Sequence, residues 1–123
     1  MTDPRPNIFP IVHYNDEPAA IAWLCDVLGF EDLLTVRDDK GEIAHCELKL
    51  GPGVIMPSGG DPRWGPYVYL PETELEAHYE RTRAAGAEII RPLMKKDYGG
   101  SGYSVRDPEG NEWSFGSYYP GES

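Results

Sequence analysis

The sequence predicts an α+β domain built from one strand–helix–three-strand unit used twice. Three observations carry this reading. Gly29 and Gly53 stand 24 positions apart, as do Gly86 and Gly110, and the two sets are offset by 57 in a chain of 123 residues. A helix-forming run precedes both Gly29 and Gly86. Short runs of strand character, separated by Gly- and Pro-rich turns, follow each helix.

In order, Ile8 to Tyr14 reads as the first strand. Asn15 or Asp16 suits the cap of the next helix, with Glu17 and Pro18 in its first turn, where a carboxylate and a proline both fit. Ile21, Leu24, Cys25 and Leu28 recur on one helical face, and Gly29 ends the helix. Phe30 to Arg37 is the second strand, and Asp38 to Gly41 the hairpin turn after it. From Glu42 to Leu50 the pattern alternates. Ala44, Cys46, Leu48 and Leu50 lie on one face, and Ile43, His45, Glu47 and Lys49 on the other. After Gly51-Pro52-Gly53, a short strand runs from Val54 to Pro57, closing a first module over about 8–57.

Residues 58–66 form a Gly/Pro-rich linker, and a second module covers about 67–119. Its elements are a strand at Tyr67 to Leu70, a helix opened by a capping box at Thr73 to Glu76 and ended by Gly86, and a strand at Glu88 to Met94. A polar loop at Lys95 to Gly102 leads to a strand at Tyr103 to Arg106. The tight turn Asp107 to Gly110 and a last strand at Asn111 to Ser117 follow. The tail is read as frayed beyond Tyr119.

The length suits one compact domain. The longest apolar run, Ala19 to Cys25, is too short to span a bilayer. No basic, then apolar, N-terminal stretch marks a secretion signal, so a cytoplasmic location without membrane partners is expected. Cys25 and Cys46 fall on apolar faces and read as buried, reduced thiols. A net charge of −10, from 11 basic and 21 acidic residues, speaks against nucleic-acid binding and favours cationic small molecules.

The runs AAIAWLCDVLGFE, IAHCELKLGPGVIM, HYERTRAAGAEI and YSVRDPEGNEWSFGSY resemble the glyoxalase/bleomycin resistance/dioxygenase superfamily, also called vicinal oxygen chelate, over residues 8 to 119. The resemblance implies two tandem βαβββ modules forming a cup-shaped mixed sheet with the helices outside. It also implies a homodimer and a ligand held in the cup or at the dimer interface. Metal-dependent members of the family carry His, Gln or Glu on the first and last strands of each module. Counting from the glycines and the DPEGN turn, those positions here are Phe9, Met56, Tyr67 and Ser114. None is an ordinary donor for a divalent catalytic metal, so no metal and no cofactor is expected.

Alternation then nominates the ligand-facing residues: Phe9, Ile11, His13, His45, Glu47, Met56, Tyr67, Tyr69, Glu112 and Ser114, with Trp64 as a lid. Rings at this density suit a planar ligand and nearby carboxylates a cationic one. The expected function is metal-free binding of a small aromatic or cationic molecule, as in antibiotic resistance. The alternative is a lyase, isomerase or dioxygenase-type enzyme of the same superfamily, with His45 and Glu47 as catalytic candidates. In it they serve as a general base, or His13, His45 and Glu47 as a relocated metal site. His78 reads as a surface or helix-packing residue.

Overall fold

The computed structural model describes residues 5–97 and 99–121. Over them run β1 (Ile8–Phe9), β2 (Ile11–His13), α1 (Glu17–Asp26), β3 (Glu31–Arg37), β4 (Ile43–Leu50), β5 (Gly53–Ser58), β6 (Trp64–Tyr69), α2 (Glu72–Ala84), β7 (Glu88–Lys95), β8 (Ser101–Arg106) and β9 (Glu112–Gly116). Four strands join in the order β2-β5-β4-β3, and five in the order β1-β6-β9-β8-β7. This is the expected α+β class. The chain divides into two compact units between Trp64 and Gly65. The first unit also takes Pro120 and Gly121 from the C-terminus, and the second takes Arg5 to Ile8 from the N-terminus.

In the first unit, Asp16 caps α1 by accepting the Ala19 N–H at 3.2 Å. Pro18 lies in the first turn, where no intrahelical N–H is needed. Gly29, at φ 82°, turns the chain out of the helix, and the Phe30 N–H reaches back to the Leu24 carbonyl. Leu24 packs on Cys46 and Leu48 of β4, and Ile21 and Cys25 pack against that cluster. The alternation in β4 therefore holds at its centre. It fails at its ends: Leu50 is 51 % exposed and Ile43 joins the helix-side cluster. The register between β3 and β4 shifts at Val36/Arg37, opposite Ile43, and one inserted residue exchanges the faces of a strand.

The single strand expected from Ile8 to Tyr14 is two strands in two sheets. Pro10 separates them, because it has no N–H to continue a ladder, while its carbonyl accepts the Met56 N–H at 2.9 Å. β2 then runs parallel to β5, pairing Ile11 with Met56 and His13 with Ser58.

In the second unit, Leu75 and Tyr103 are buried. Phe115 stacks on Tyr103 with ring centroids 5.3 Å apart. The expected capping box is not formed. α2 starts one residue before Thr73, with Pro71 at the cap position and no side-chain cap bond. β6 begins at Trp64, so the linker is shorter than 58–66 and the tryptophan belongs to a strand. Gly116 lets β9 pass under Tyr67, since a Cβ there would stand 2.7 Å from the Tyr67 hydroxyl.

The glycine ruler also needs correction. Gly29 and Gly86 have the same left-handed backbone, but in the first unit the left-handed turn residue before the last strand is Gly51 (φ 60°), not Gly53. The tail is not frayed at its start: Pro120 is buried and Gly121 donates a hydrogen bond to Glu47.

Candidate functional site

On β4, His45 and Glu47 are two residues apart and so share a face. Their side chains meet, His45 Nε2 to Glu47 Oε2 at 2.6 Å. Glu47 is 0 % exposed, and its other oxygen accepts the Gly121 N–H at 2.8 Å. A buried carboxylate without partners would cost several kcal/mol, and these contacts help to offset that cost. Gly121 seats closely: a Cβ on it would reach Val54 at 3.4 Å and Leu33 at 3.6 Å.

His45 also lines an open cleft of about 830 Å³ within the first unit. Ile11 and Met56, paired across β2 and β5, line it, as does Trp64. The Trp64 ring covers Gly60, where a Cβ would come within 2.4 Å of it, so the tryptophan packs against its own loop. Glu17 brings a carboxylate to the same cleft. Burial pushes the Glu17 carboxyl above the usual carboxylate range, opposed by the Gly59 N–H and by nearby His45.

Of the residues nominated from sequence, Ile11, His45, Met56 and Trp64 line this cleft. Glu47 stands behind His45. Phe9 is buried. His13 is apart from the pair: its Nε2 lies 3.2 Å from Asn15 Oδ1, and its buried Nδ1 has no hydrogen-bond partner. The other four lie in the second unit, where each has an internal partner. The Tyr67 hydroxyl donates to the Tyr118 carbonyl. Tyr69 meets Tyr119 edge-on at 4.9 Å. Ser114 Oγ lies 2.9 Å from Ser104 Oγ. Glu112 is buried in an ion pair with Arg91.

The donor chemistry does not fit the family's metal. The four corresponding positions hold a phenyl ring, a thioether, a hydroxyl committed to a backbone carbonyl and a serine paired to a serine. The relocated triad is not assembled either. Among the described residues, no group of three His, Cys, Asp or Glu side chains is placed to hold a metal ion.

Sequence reasoning missed two contributors. Glu17 read only as a helix-start residue. Gly121 acts through a backbone N–H, which no side-chain pattern marks. His78 packs from α2 as expected, its ring 4.6 Å from that of Phe115, and it holds the Tyr103 hydroxyl at 2.7 Å, which donates to Thr82 Oγ1. Burial lowers the His78 pKa, with Arg81 adding to it, and burial raises that of Tyr103. His78 lines a second cleft, of about 740 Å³, between the end of α2 and the Asp107 turn.

Among solved structures, the chain is similar to a glyoxalase/bleomycin resistance protein/dioxygenase superfamily member from Vibrio splendidus 12B01. The identity is 22 %, over 89 % of this chain and 95 % of that one, with a TM-score of 0.70. It is also similar to methylmalonyl-CoA epimerase from Mycobacterium tuberculosis, at 18 % identity over 98 % and 93 % of the two chains, TM-score 0.66. A third similarity is to the Mn(II)-bound glyoxalase from Novosphingobium aromaticivorans, at 17 % identity over 94 % of this chain and 40 % of that one, TM-score 0.65. These likenesses speak to the fold. No curated protein matches the chain. A model of the Glyoxalase/Bleomycin resistance protein/Dioxygenase superfamily matches residues 11–115, and the chain belongs to that superfamily.

Proposed function

We propose that this protein binds and sequesters a small planar cation in the cleft of its first unit, without the family's metal. The observation that carries the reading is the cleft's lining. An indole, a thioether and an aliphatic side chain line the cleft, and the Glu17 carboxylate and the His45 imidazole supply polar groups. A ring system stacked on Trp64 gains the burial of its faces, and a positive charge on it gains about 0.5–2 kcal/mol from the indole. That charge also relieves the desolvated Glu17 carboxylate. The net charge of −10 draws cations toward the surface before they dock.

The test is quenching of tryptophan fluorescence by acriflavine, a planar aromatic cation, and by bleomycin, with Trp64→Phe to assign the signal. A dissociation constant below about 1 mM is expected for at least one of them. Glu17→Gln is expected to weaken binding about fivefold, roughly 1 kcal/mol. Binding also weakens as pH falls through the raised Glu17 pKa, because protonation removes the charge that attracts the cation. Quenching that is unaffected by both substitutions sinks the proposal.

The His45–Glu47 hydrogen bond favours a second reading, a lyase or isomerase with His45 as general base. Mass spectrometry together with proton NMR of the bound compound separates the two. An unchanged mass and structure after prolonged incubation supports sequestration, and a new product supports catalysis.

A further inference from the structure

We propose that the C-terminal residues Pro120 and Gly121 are positioning residues for His45, acting through Glu47. This rests on the cleft reading above in so far as His45 meets a ligand there. The chain of contacts is continuous within one unit. Pro120 is buried, Gly121 donates its N–H to Glu47 Oε1 at 2.8 Å, and Glu47 Oε2 lies 2.6 Å from His45 Nε2. A carboxylate can only accept, so holding both donors at once requires a hydrogen on His45 Nε2, which in the neutral ring leaves the lone pair on Nδ1. The ring is thereby held in one tautomer and one orientation where it forms part of the cleft wall.

The tail contributes what β4 alone does not. Glu47 is 0 % exposed, so without the Gly121 N–H its second oxygen would be buried without that donor, or the side chain would turn toward water. Either outcome releases His45. Gly121 is suited to the task because its backbone, at φ 94°, is one that other residues rarely adopt, and it fits against Val54 and Leu33. The tail thus sets which imidazole nitrogen is the donor in the cleft wall, although neither Pro120 nor Gly121 lines the cleft.

The test uses the whole chain, a chain lacking residues 120–123, and Glu47→Gln. Long-range ¹⁵N–¹H correlation of the imidazoles, assigned with His45→Phe, reads the His45 tautomer in the unliganded protein. The wild type is expected to show one tautomer, with the hydrogen on Nε2. The truncated chain is expected to show averaging between tautomers. Glu47→Gln places an amide donor where Oε2 was and is expected to move the hydrogen to Nδ1. Acriflavine affinity is expected to fall about tenfold in both variants, as for loss of one charge-assisted hydrogen bond. A truncated chain that keeps the wild-type tautomer and affinity overturns the proposal. If truncation unfolds the protein, Glu47→Gln decides it, and an unchanged His45 spectrum there is equally fatal. If the wild type binds neither acriflavine nor bleomycin, the cleft reading falls, while the tautomer measurement still judges the tail.

Discussion

Cys46 carries the packing of the first unit in one side chain. It is buried between Leu24 and Leu48, and burial pushes its thiol up to about 11, with the Thr35 hydroxyl opposing in part. A cysteine in an unfolded chain ionises near pH 8.5. The fold therefore favours the neutral thiol. That contribution is complete below the unfolded value and is lost as pH rises through the folded one. Urea unfolding of the wild type should show stability falling between about pH 9 and pH 11. Cys46→Ala should start roughly 1 kcal/mol lower, from the cavity it leaves, and lose less over the same range. Equal losses in both proteins would show that the buried thiol is not the titrating group. The burial of Cys46 was legible in the sequence because apolar residues alternate around it. The burial of Glu47 was not, since a glutamate next to Cys46 and Leu48 reads as the exposed face until its partners are known.

At the scale of elements, the two helices end alike and begin differently. Gly29 and Gly86 stop them in the same backbone conformation, and both stops were legible because few other residues adopt it. At the other end, Asp16 accepts the Ala19 N–H, whereas α2 has a proline at its cap and Glu72 and Glu74 in its first turn. Those two carboxylates act on the helix dipole rather than on a particular N–H. Thr73 has the composition of a capping box but sits inside the helix, because a helix can begin at Pro71 before the threonine is reached. Asp16→Ala should cost about 1 kcal/mol. Thr73→Ala should stay within about 0.5 kcal/mol of the wild type. Thermal melts of the two variants check this, and a larger loss for Thr73→Ala would mean that the threonine caps after all. The split of the first strand at Pro10 was equally open to reading from the missing N–H. What hid it was the apolar run on either side.

At the scale of the whole molecule, Arg5 to Ile8 and Pro120 to Gly121 each belong with the half of the sequence farther from them. Asn7 accepts the Tyr69 N–H at 2.7 Å, the Tyr119 hydroxyl donates to the Pro6 carbonyl, and Arg5 lies over the Tyr119 ring, all within the second unit. Gly121 bonds Glu47 within the first. The duplication itself was visible in part, in the glycines that end the two helices, Gly29 and Gly86. This exchange of ends was not, because most of its hydrogen bonds use backbone atoms that every residue type possesses. It has a consequence for folding. A fragment of residues 1–64 lacks the Gly121 N–H that Glu47 Oε1 accepts, and a fragment of residues 65–123 lacks β1 beside β6. At about 60 residues each would also bury only some 60 % of its unfolded surface, close to the limit for an independent domain. Each fragment alone should therefore show little helix by circular dichroism and no cooperative melt. The two mixed in equal amounts should recover both, since every strand and both ends are then present. A fragment of residues 1–64 that melts cooperatively by itself, near the temperature of the intact chain, would show that the C-terminal residues add nothing to the first unit's stability.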